Sequence, residues 1–204
     1  MKPGEYHLVS DVELVTRAQA GDLPAFEELV KRYQRDIYAL ACRMVSDVEE
    51  ARDVMQQALL QAFLHIRDFR GHSAFRTWLF RITLNQCYNF LKGRKRYGEP
   101  VDVGDLVLEA EDSPEADLIA EEERARLYQA LERLPAKQRA VITLKLEQNL
   151  SYQEIAQVLG GTAGAARVNY CQALKRLKKL LVSEHDHDVA VRPYPKVAPR
   201  ISRR

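Results

Sequence analysis

The run Phe69-Arg70-Gly71-His72-Ser73-Ala74-Phe75-Arg76-Thr77-Trp78-Leu79-Phe80-Arg81-Ile82 interleaves aromatic rings with guanidinium groups. That pairing suits unstacked single-stranded bases, because rings stack on bases while cations hold phosphate. Phe75 and Trp78 also fit the core face of a helix. Phe69 sits in a polar turn between two helical stretches, where helix periodicity does not require a ring, although it can still plug the bottom of a helical domain. Gly71 lets the backbone turn tightly or approach a ligand closely.

A second stretch, Tyr152-Gln153-Glu154-Ile155-Ala156-Gln157-Val158-Leu159-Gly160, is followed after a short turn by an alanine-rich basic helix. Ala156 is small where two crossing helices approach, and Gly160 can take the left-handed conformation needed to leave the first helix. Ile155 and Leu159 face the core, and Tyr170, Leu174, Leu177 and Leu181 form the predicted buried stripe of the second helix. Arg167, Val168, Cys171, Gln172 and Lys175 then face outward, as a helix reading the major groove of a helix-turn-helix must. A helical hairpin with a solvated basic face is the competing reading.

Other chemistries find little support. No nucleophile–base set and no phosphate-cradling glycine loop is present. The histidines are scattered except in His185-Asp186-His187-Asp188, which lies in a predicted tail without a supporting shell. No catalytic residue, metal or cofactor is therefore expected. Cys171 reads as a small packing or contact residue, with a redox handle as the alternative.

The chain has 204 residues, 46% hydrophobic and 29% charged, with a net charge of +2. That is ordinary globular composition, long enough for one domain or two small ones. No apolar run approaches a membrane span, and the three cysteines argue against a disulfide scaffold. The expectation is a cytoplasmic protein. Charge is unevenly placed. Residues 1–98 carry 15 basic and 12 acidic side chains, residues 99–123 carry none and 11, and residues 124–204 carry 16 and 6. An acidic middle should be extended and solvated, and the basic back suggests a polyanion partner.

The predicted elements are all helices. Ser10 with Glu13 reads as a capping box ended by Gly21. Asp22 and Pro24 open a helix striped by Phe26, Leu29, Val30, Tyr33, Ile37, Leu40, Ala41 and Met44. Ser46 with Glu49 starts the next, whose inner face carries Ala51, Val54, Met55, Ala58, Ala62, Phe63 and Ile66. A fourth runs from about Ala74 to the basic cluster Lys92, Arg94, Lys95 and Arg96. Further helices are predicted from Ser113-Pro114 to Leu134, from Ala136 to Gln148 with Asn149 as cap, from Ser151 with Glu154 to Gly160-Gly161, and from Thr162 to about Leu181. The expected fold is all-α. Two small helical domains, residues 1–96 and 114–182, are joined by a flexible acidic linker, residues 97–113. A basic disordered tail, residues 183–204, follows.

In order along the chain, Ala18-Gln19-Ala20-Gly21-Asp22 through Phe26 and Tyr33, then Ala51-Arg52-Asp53-Val54-Met55-Gln56, then Phe69-Arg70-Gly71 with Phe75-Arg76-Thr77-Trp78-Leu79 and Asn85, then Leu134-Pro135 with Gln138-Arg139 and Leu150-Ser151-Tyr152-Gln153-Glu154-Ile155-Ala156 resemble a bacterial RNA polymerase sigma factor of the extracytoplasmic function (ECF) class. The resemblance covers about Asp11 to Leu181. It implies a stress-response factor that recruits core RNA polymerase to promoter DNA and carries out no bond chemistry. Asp53 and Gln56 would hold the polymerase, and Gln57 stands beside them where the family usually has a glutamate. His65, Phe69, Ile82 and Asn85 would surround a base flipped from the minus-ten element, with Arg70, Gly71, His72, Ser73 and Arg76 in the same segment. The back domain would read the minus-thirty-five element in duplex form through Arg167, Val168, Asn169, Cys171, Gln172 and Lys175. The acidic linker would thread the channel that later carries RNA. The implied control is an anti-sigma factor. The alternative is a helix-turn-helix regulator without polymerase affinity, which leaves the front half idle.

Overall fold

The computed structural model describes residues 6–45, 47–97 and 125–189; for residues 95–97 and 183–189 it describes the backbone alone. No strand occurs among the described residues. The front unit holds α1 (Asp11–Gln19), α2 (Leu23–Val45), α3 (Val48–His65) and α4 (Phe75–Tyr97). The back unit holds α5 (residues 125–132), α6 (Ala136–Leu146), α7 (Tyr152–Leu159) and α8 (Ala163–Val189).

Local chemistry sets most boundaries. The Ser10 hydroxyl accepts from the Glu13 amide at 3.4 Å and opens α1. Gly21, at φ 95°, releases the chain into α2, and the Asp22 carboxylate accepts from the Ala25 amide at 3.3 Å. The cap of α3 is Asp47, which accepts from the Glu50 amide at 2.9 Å. This corrects the predicted start at Ser46, which lies outside the described residues. Both residue types cap well, and Asp47 is the one whose extended backbone aims its side chain at the first turn.

Leu29, Ile37, Leu40, Ala41 and Met44 of the predicted α2 stripe are buried, with Phe26, Val30 and Tyr33 half-buried, and Ala25, outside the predicted stripe, is buried with them. α2, α3 and α4 pack against one another, and α1 packs on α2. Leu79, Phe80, Leu84 and Cys87 bury the facing side of α4, and burial pushes the Cys87 thiol up to about 12. Phe63, predicted on the inner face of α3, is 41% exposed and meets Phe26 edge-on with centroids 5.2 Å apart. Tyr97, assigned to the linker from sequence, ends α4. The remainder of that linker, and the predicted helix start at Ser113-Pro114, lie outside the described residues.

In the back unit Ser151 and Glu154 form a full capping box: the Ser151 amide donates to the Glu154 carboxylate at 2.8 Å and the Glu154 amide to the Ser151 hydroxyl at 3.2 Å. The Ser151 hydroxyl, which donates to the Glu154 carboxylate at 2.7 Å, and the Ser151 amide together hold the Glu154 carboxyl below its ordinary range. A depressed carboxyl stabilises the fold above its unfolded pKa, and that stability is lost as pH falls through the folded value. Replacing Ser151 by Ala is expected to cost about 1 kcal/mol and to shift the acid limb of unfolding toward higher pH. A urea midpoint series between pH 7 and pH 3 checks this, and a parallel displacement at every pH would sink the linkage.

Gly160 and Gly161, both at positive φ, form the turn into α8, where the Thr162 hydroxyl accepts from the Ala165 amide at 3.1 Å. α6 ends at Leu146, two residues before the predicted Gln148, and Asn149 leaves the helical region at φ 55°. The buried stripe of α8 is Ala166, Ala173 and Leu177, with Tyr170, Leu180 and Leu181 partly covered. Leu174, predicted within it, is 37% exposed; one residue of helix is a rotation of about 100°, and the small Ala173 takes the inward position. α8 continues to Val189, past the predicted tail start at Ser183. The rest of that tail lies outside the described residues.

The back unit has a small core of Ala130, Leu131, Leu134, Ile142, Ala173 and Leu177. Its other apolar face, with Ala140, Val141, Leu144, Leu150, Ile155 and Val158, belongs to one continuous cluster with the front unit. α6 rests on α2, and α7 rests on α4.

Candidate nucleic-acid interface

Asp53, Gln56 and Gln57 are exposed on α3, opposite the buried Ala51, Val54, Ala58 and Ala62. The face continues into Leu60 and Leu64, 48% and 59% exposed. Spacings of three and four put 53, 56, 57, 60 and 64 on one side of the helix. Sequence reasoning missed both leucines. Their signal is present in the sequence: they fall out of phase with the alanines that mark the inner face.

The turn after α3 begins with a 3-10 segment, Ile66–Asp68. The Phe69 amide donates to the Ile66 carbonyl at 3.2 Å. From α1, the Gln19 side-chain amide donates to the carbonyls of Ile66 at 3.0 Å and Phe69 at 2.7 Å. Gly71 sits at φ 71°, where a side chain would be strained. His65 lies 3.2 Å from the Asp68 carboxylate. Arg70 and His72 are exposed, and the Ser73 hydroxyl turns back to the Ala74 carbonyl at 3.3 Å.

Phe69 is half-buried. Its ring meets Trp78 at 5.1 Å and Phe75 nearly perpendicular at 6.0 Å. Phe75 is fully part of the core, Trp78 partly so, and Phe69 leans on both while keeping an open side. Ile82 is half-buried and Asn85 exposed. Trp78, Ile82 and Asn85 recur at four and three, so Asn85 shares a helix face with the ring that supports Phe69.

Arg76 is placed apart from the other predicted contacts of this segment. Its guanidinium pairs with Asp36 of α2 at 2.9 Å and lies over the Phe80 ring at 4.9 Å. It also donates to the Gln148 carbonyl at 3.1 Å and side-chain oxygen at 2.8 Å in the back unit.

On α8, Arg167, Val168, Cys171, Gln172 and Lys175 are exposed and Asn169 is half-buried. Arg176, Lys178 and Lys179 are exposed as well, extending the positive surface beyond the residues singled out from sequence. The Arg167 guanidinium lies 5.2 Å from the Tyr152 ring centroid, and the Lys145 ammonium 5.1 Å from the same ring. Tyr152 in turn meets Tyr170 edge-on at 5.9 Å. This basic, outward surface on a helix that follows a tight glycine turn is what phosphate neutralisation and base-edge contact require.

Among the described residues no group of three His, Cys, Asp or Glu side chains could hold a metal, and no helix there is long and apolar enough to cross a membrane.

Residues 29–97 match the Sigma-70 region 2 family, and residues 124–177 match the Sigma-70, region 4 family. The chain is 38% identical over 180 residues to an RNA polymerase sigma-H factor of Pseudomonas aeruginosa, covering 84% of this chain and 93% of that one. It is 36% identical over 168 residues to the ECF RNA polymerase sigma-E factor of Escherichia coli, covering 78% and 87%. Among solved structures it is similar to CnrH in complex with the cytosolic domain of CnrY, with a TM-score of 0.66, 25% identity, and coverage of 85% of this chain and 98% of that one. It is also similar to the sigma factor RpoE in complex with the anti-sigma factor NepR from Bartonella quintana, with a TM-score of 0.64, 25% identity, and coverage of 76% and 96%. The front unit thus carries the region 2 match, the back unit the region 4 match, and the chain belongs to the ECF class of the sigma-70 family of RNA polymerase sigma factors.

Proposed function

We propose that this sigma factor, which directs RNA polymerase to promoters, divides the work between its two units. The front unit binds core polymerase through the α3 face of Asp53, Gln56 and Gln57, continued by Leu60 and Leu64. The turn around Phe69, with His65, Ile82 and Asn85, receives a base pulled from the minus-ten element, while Arg70, Gly71, His72, Ser73 and Arg76 hold the strand around it. α8 enters the major groove of the minus-thirty-five element with Arg167, Val168, Asn169, Cys171, Gln172 and Lys175. Catalysis of bond formation stays with the polymerase, and the site of action is the cytoplasm. An anti-sigma protein controls access, a reading supported by the anti-sigma factor NepR bound in the similar RpoE structure.

The observation that carries this reading is the presence of two separate surfaces of the right chemistry on the two matched regions. One is a polar-to-apolar face on α3, and the other is a basic face on α8. A regulator that binds DNA alone has no use for the first.

The test is reconstitution. Core polymerase mixed with the full chain is expected to open and transcribe promoters sharing two upstream elements, identified by sequencing bound DNA. Arg167→Ala is expected to relax base preference at one upstream position by roughly 5- to 150-fold, the range of one bidentate guanine contact, with core binding unchanged. An equal loss on all sequences would assign Arg167 to phosphate instead. Failure of the purified chain to bind core polymerase would overturn the reading as a whole.

A further inference from the structure

Three helices of the back unit converge on one ring. Tyr152 opens α7, directly after the Ser151 cap. The Arg167 guanidinium of α8 lies over this ring, 5.2 Å from its centroid. Three residues on, Tyr170 meets the same ring edge-on at 5.9 Å and 63°. One helix thus supplies both the cation over the ring and the second ring that braces it. Lys145 approaches from α6 at 5.1 Å, but its ammonium also donates to the Leu150 carbonyl at 3.0 Å, which ties it to its own corner.

Nothing on α8 itself can aim Arg167 by polar contact. Its helix-surface neighbours, three and four positions away, are Ala163, Gly164, Tyr170 and Cys171. Among the described residues no carboxylate pairs with it. The side chain is exposed, whereas Tyr152 and Tyr170 are half-buried. A long arginine without partners samples many rotamers, so the direction of this one is set from across the glycine turn. A ring attracts a cation through its quadrupole and takes up no N–H group. A guanidinium held this way keeps its five donors for a base edge or a phosphate.

We propose that Tyr152 is a positioning residue for Arg167: its ring, braced by Tyr170, aims the guanidinium along the outward face of α8 before DNA arrives. The role rests on the DNA contact assigned to Arg167 under the proposed function. It is the same whether that contact is a guanine or a phosphate, since either takes its hydrogen bonds from a guanidinium already aimed.

The experiment uses holoenzymes reconstituted from core polymerase and the full chain, on promoters that differ by single upstream bases. The variants are Arg167→Ala, Tyr152→Phe, Tyr152→Leu, and Tyr152→Leu combined with Arg167→Ala. Tyr152→Leu keeps an apolar side chain without a ring. It is expected to lose about two- to fivefold in discrimination, the equivalent of roughly 0.5–1 kcal/mol for one exposed cation–π contact, at the upstream position that Arg167→Ala affects and nowhere else. If Arg167 serves phosphate, both variants should lose affinity on all sequences alike. In either case the double variant should be no worse than Arg167→Ala alone, and Tyr152→Phe should match the parent. In the free chain, ring current should move the Arg167 Cδ protons upfield in the parent and in Tyr152→Phe, and Tyr152→Leu should return them.

Additive losses in the double variant, or no upfield signal in the parent, would overturn the positioning role. A Tyr152→Phe variant as impaired as Tyr152→Leu would make the hydroxyl the working group and overturn it too. So would a Tyr152→Leu loss that tracks a lowered thermal midpoint and weakened core binding, which would mark the ring as packing. A silent Arg167→Ala would remove the DNA contact assigned to Arg167 and the positioning role with it. A full Arg167→Ala effect beside a silent Tyr152→Leu would overturn the positioning role alone.

Discussion

Phe69→Ala is expected to slow opening of duplex promoters by roughly 5- to 150-fold, the equivalent of the 1–3 kcal/mol that one aromatic contact supplies to an unstacked base. The ring is well placed for this. It is held by Trp78 and Phe75 on one side and half open on the other, and its backbone is fixed from α1. The flipped base loses a few kcal/mol of stacking and pairing, so loss of the ring should be felt mainly in opening. A template already mismatched across the minus-ten region removes that cost and should recover most of the transcription. Because the ring also packs but is only half-buried, the variant should lose about 1–2 kcal/mol of stability as well, less than the roughly 3–5 kcal/mol of a fully buried aromatic truncation. Core binding should persist at 25 °C. Loss of polymerase binding in step with stability, with no rescue by the mismatched template, would make Phe69 a packing residue only.

The second large effect belongs to α3. Leu60→Asp and Leu64→Asp are each expected to weaken core-polymerase binding by about 30-fold or more, the threshold of an interface hot spot near 2 kcal/mol. Both side chains are largely exposed in the free chain, so the thermal midpoint should move little. Asp53→Ala should act in the same direction and more weakly, since a rim charge contributes less than a buried anchor. Fluorescence anisotropy of labelled protein titrated with core enzyme gives the constants. Unchanged affinity in both leucine variants would return these residues to ordinary surface.

The fold was readable wherever a local rule acts alone. The Ser151–Glu154 capping box, the α2 stripe, the Gly160 turn and Pro135 between α5 and α6 each depend on residues a few positions apart, and each stands as expected. Reading failed where two local answers were equally good. Ser46 and Asp47 are adjacent residues of capping type, and the extended backbone of Asp47 sets the cap; Leu174 and Ala173 are adjacent apolar residues, and packing turned Ala173 inward. It also failed where partners are far apart in sequence. Arg76 and Gln148 are separated by 72 residues and Arg43 and Glu147 by 104, and no periodicity reports such a pairing. The candidate site was legible as residue types, through rings beside cations at Phe69–Ile82 and the outward set on α8. The open flank of Phe69, the diversion of Arg76 and the continuation of the α3 face by Leu60 and Leu64 needed the third dimension.

The side chain of Gln19 bridges two carbonyls, at Ile66 and Phe69, that lie 47 and 50 residues away. Gln19 also lies ahead of residue 29, where the region 2 match begins. A loop that must capture a base loses freedom on doing so, and each side chain or backbone unit fixed at that moment subtracts from affinity. With its carbonyls already tied to α1, the turn has surrendered that freedom during folding. Under the proposed capture of a base at this turn, the first helix would contribute to promoter opening through preorganisation, and a fragment begun at the family boundary would keep every predicted contact residue yet capture a base less well.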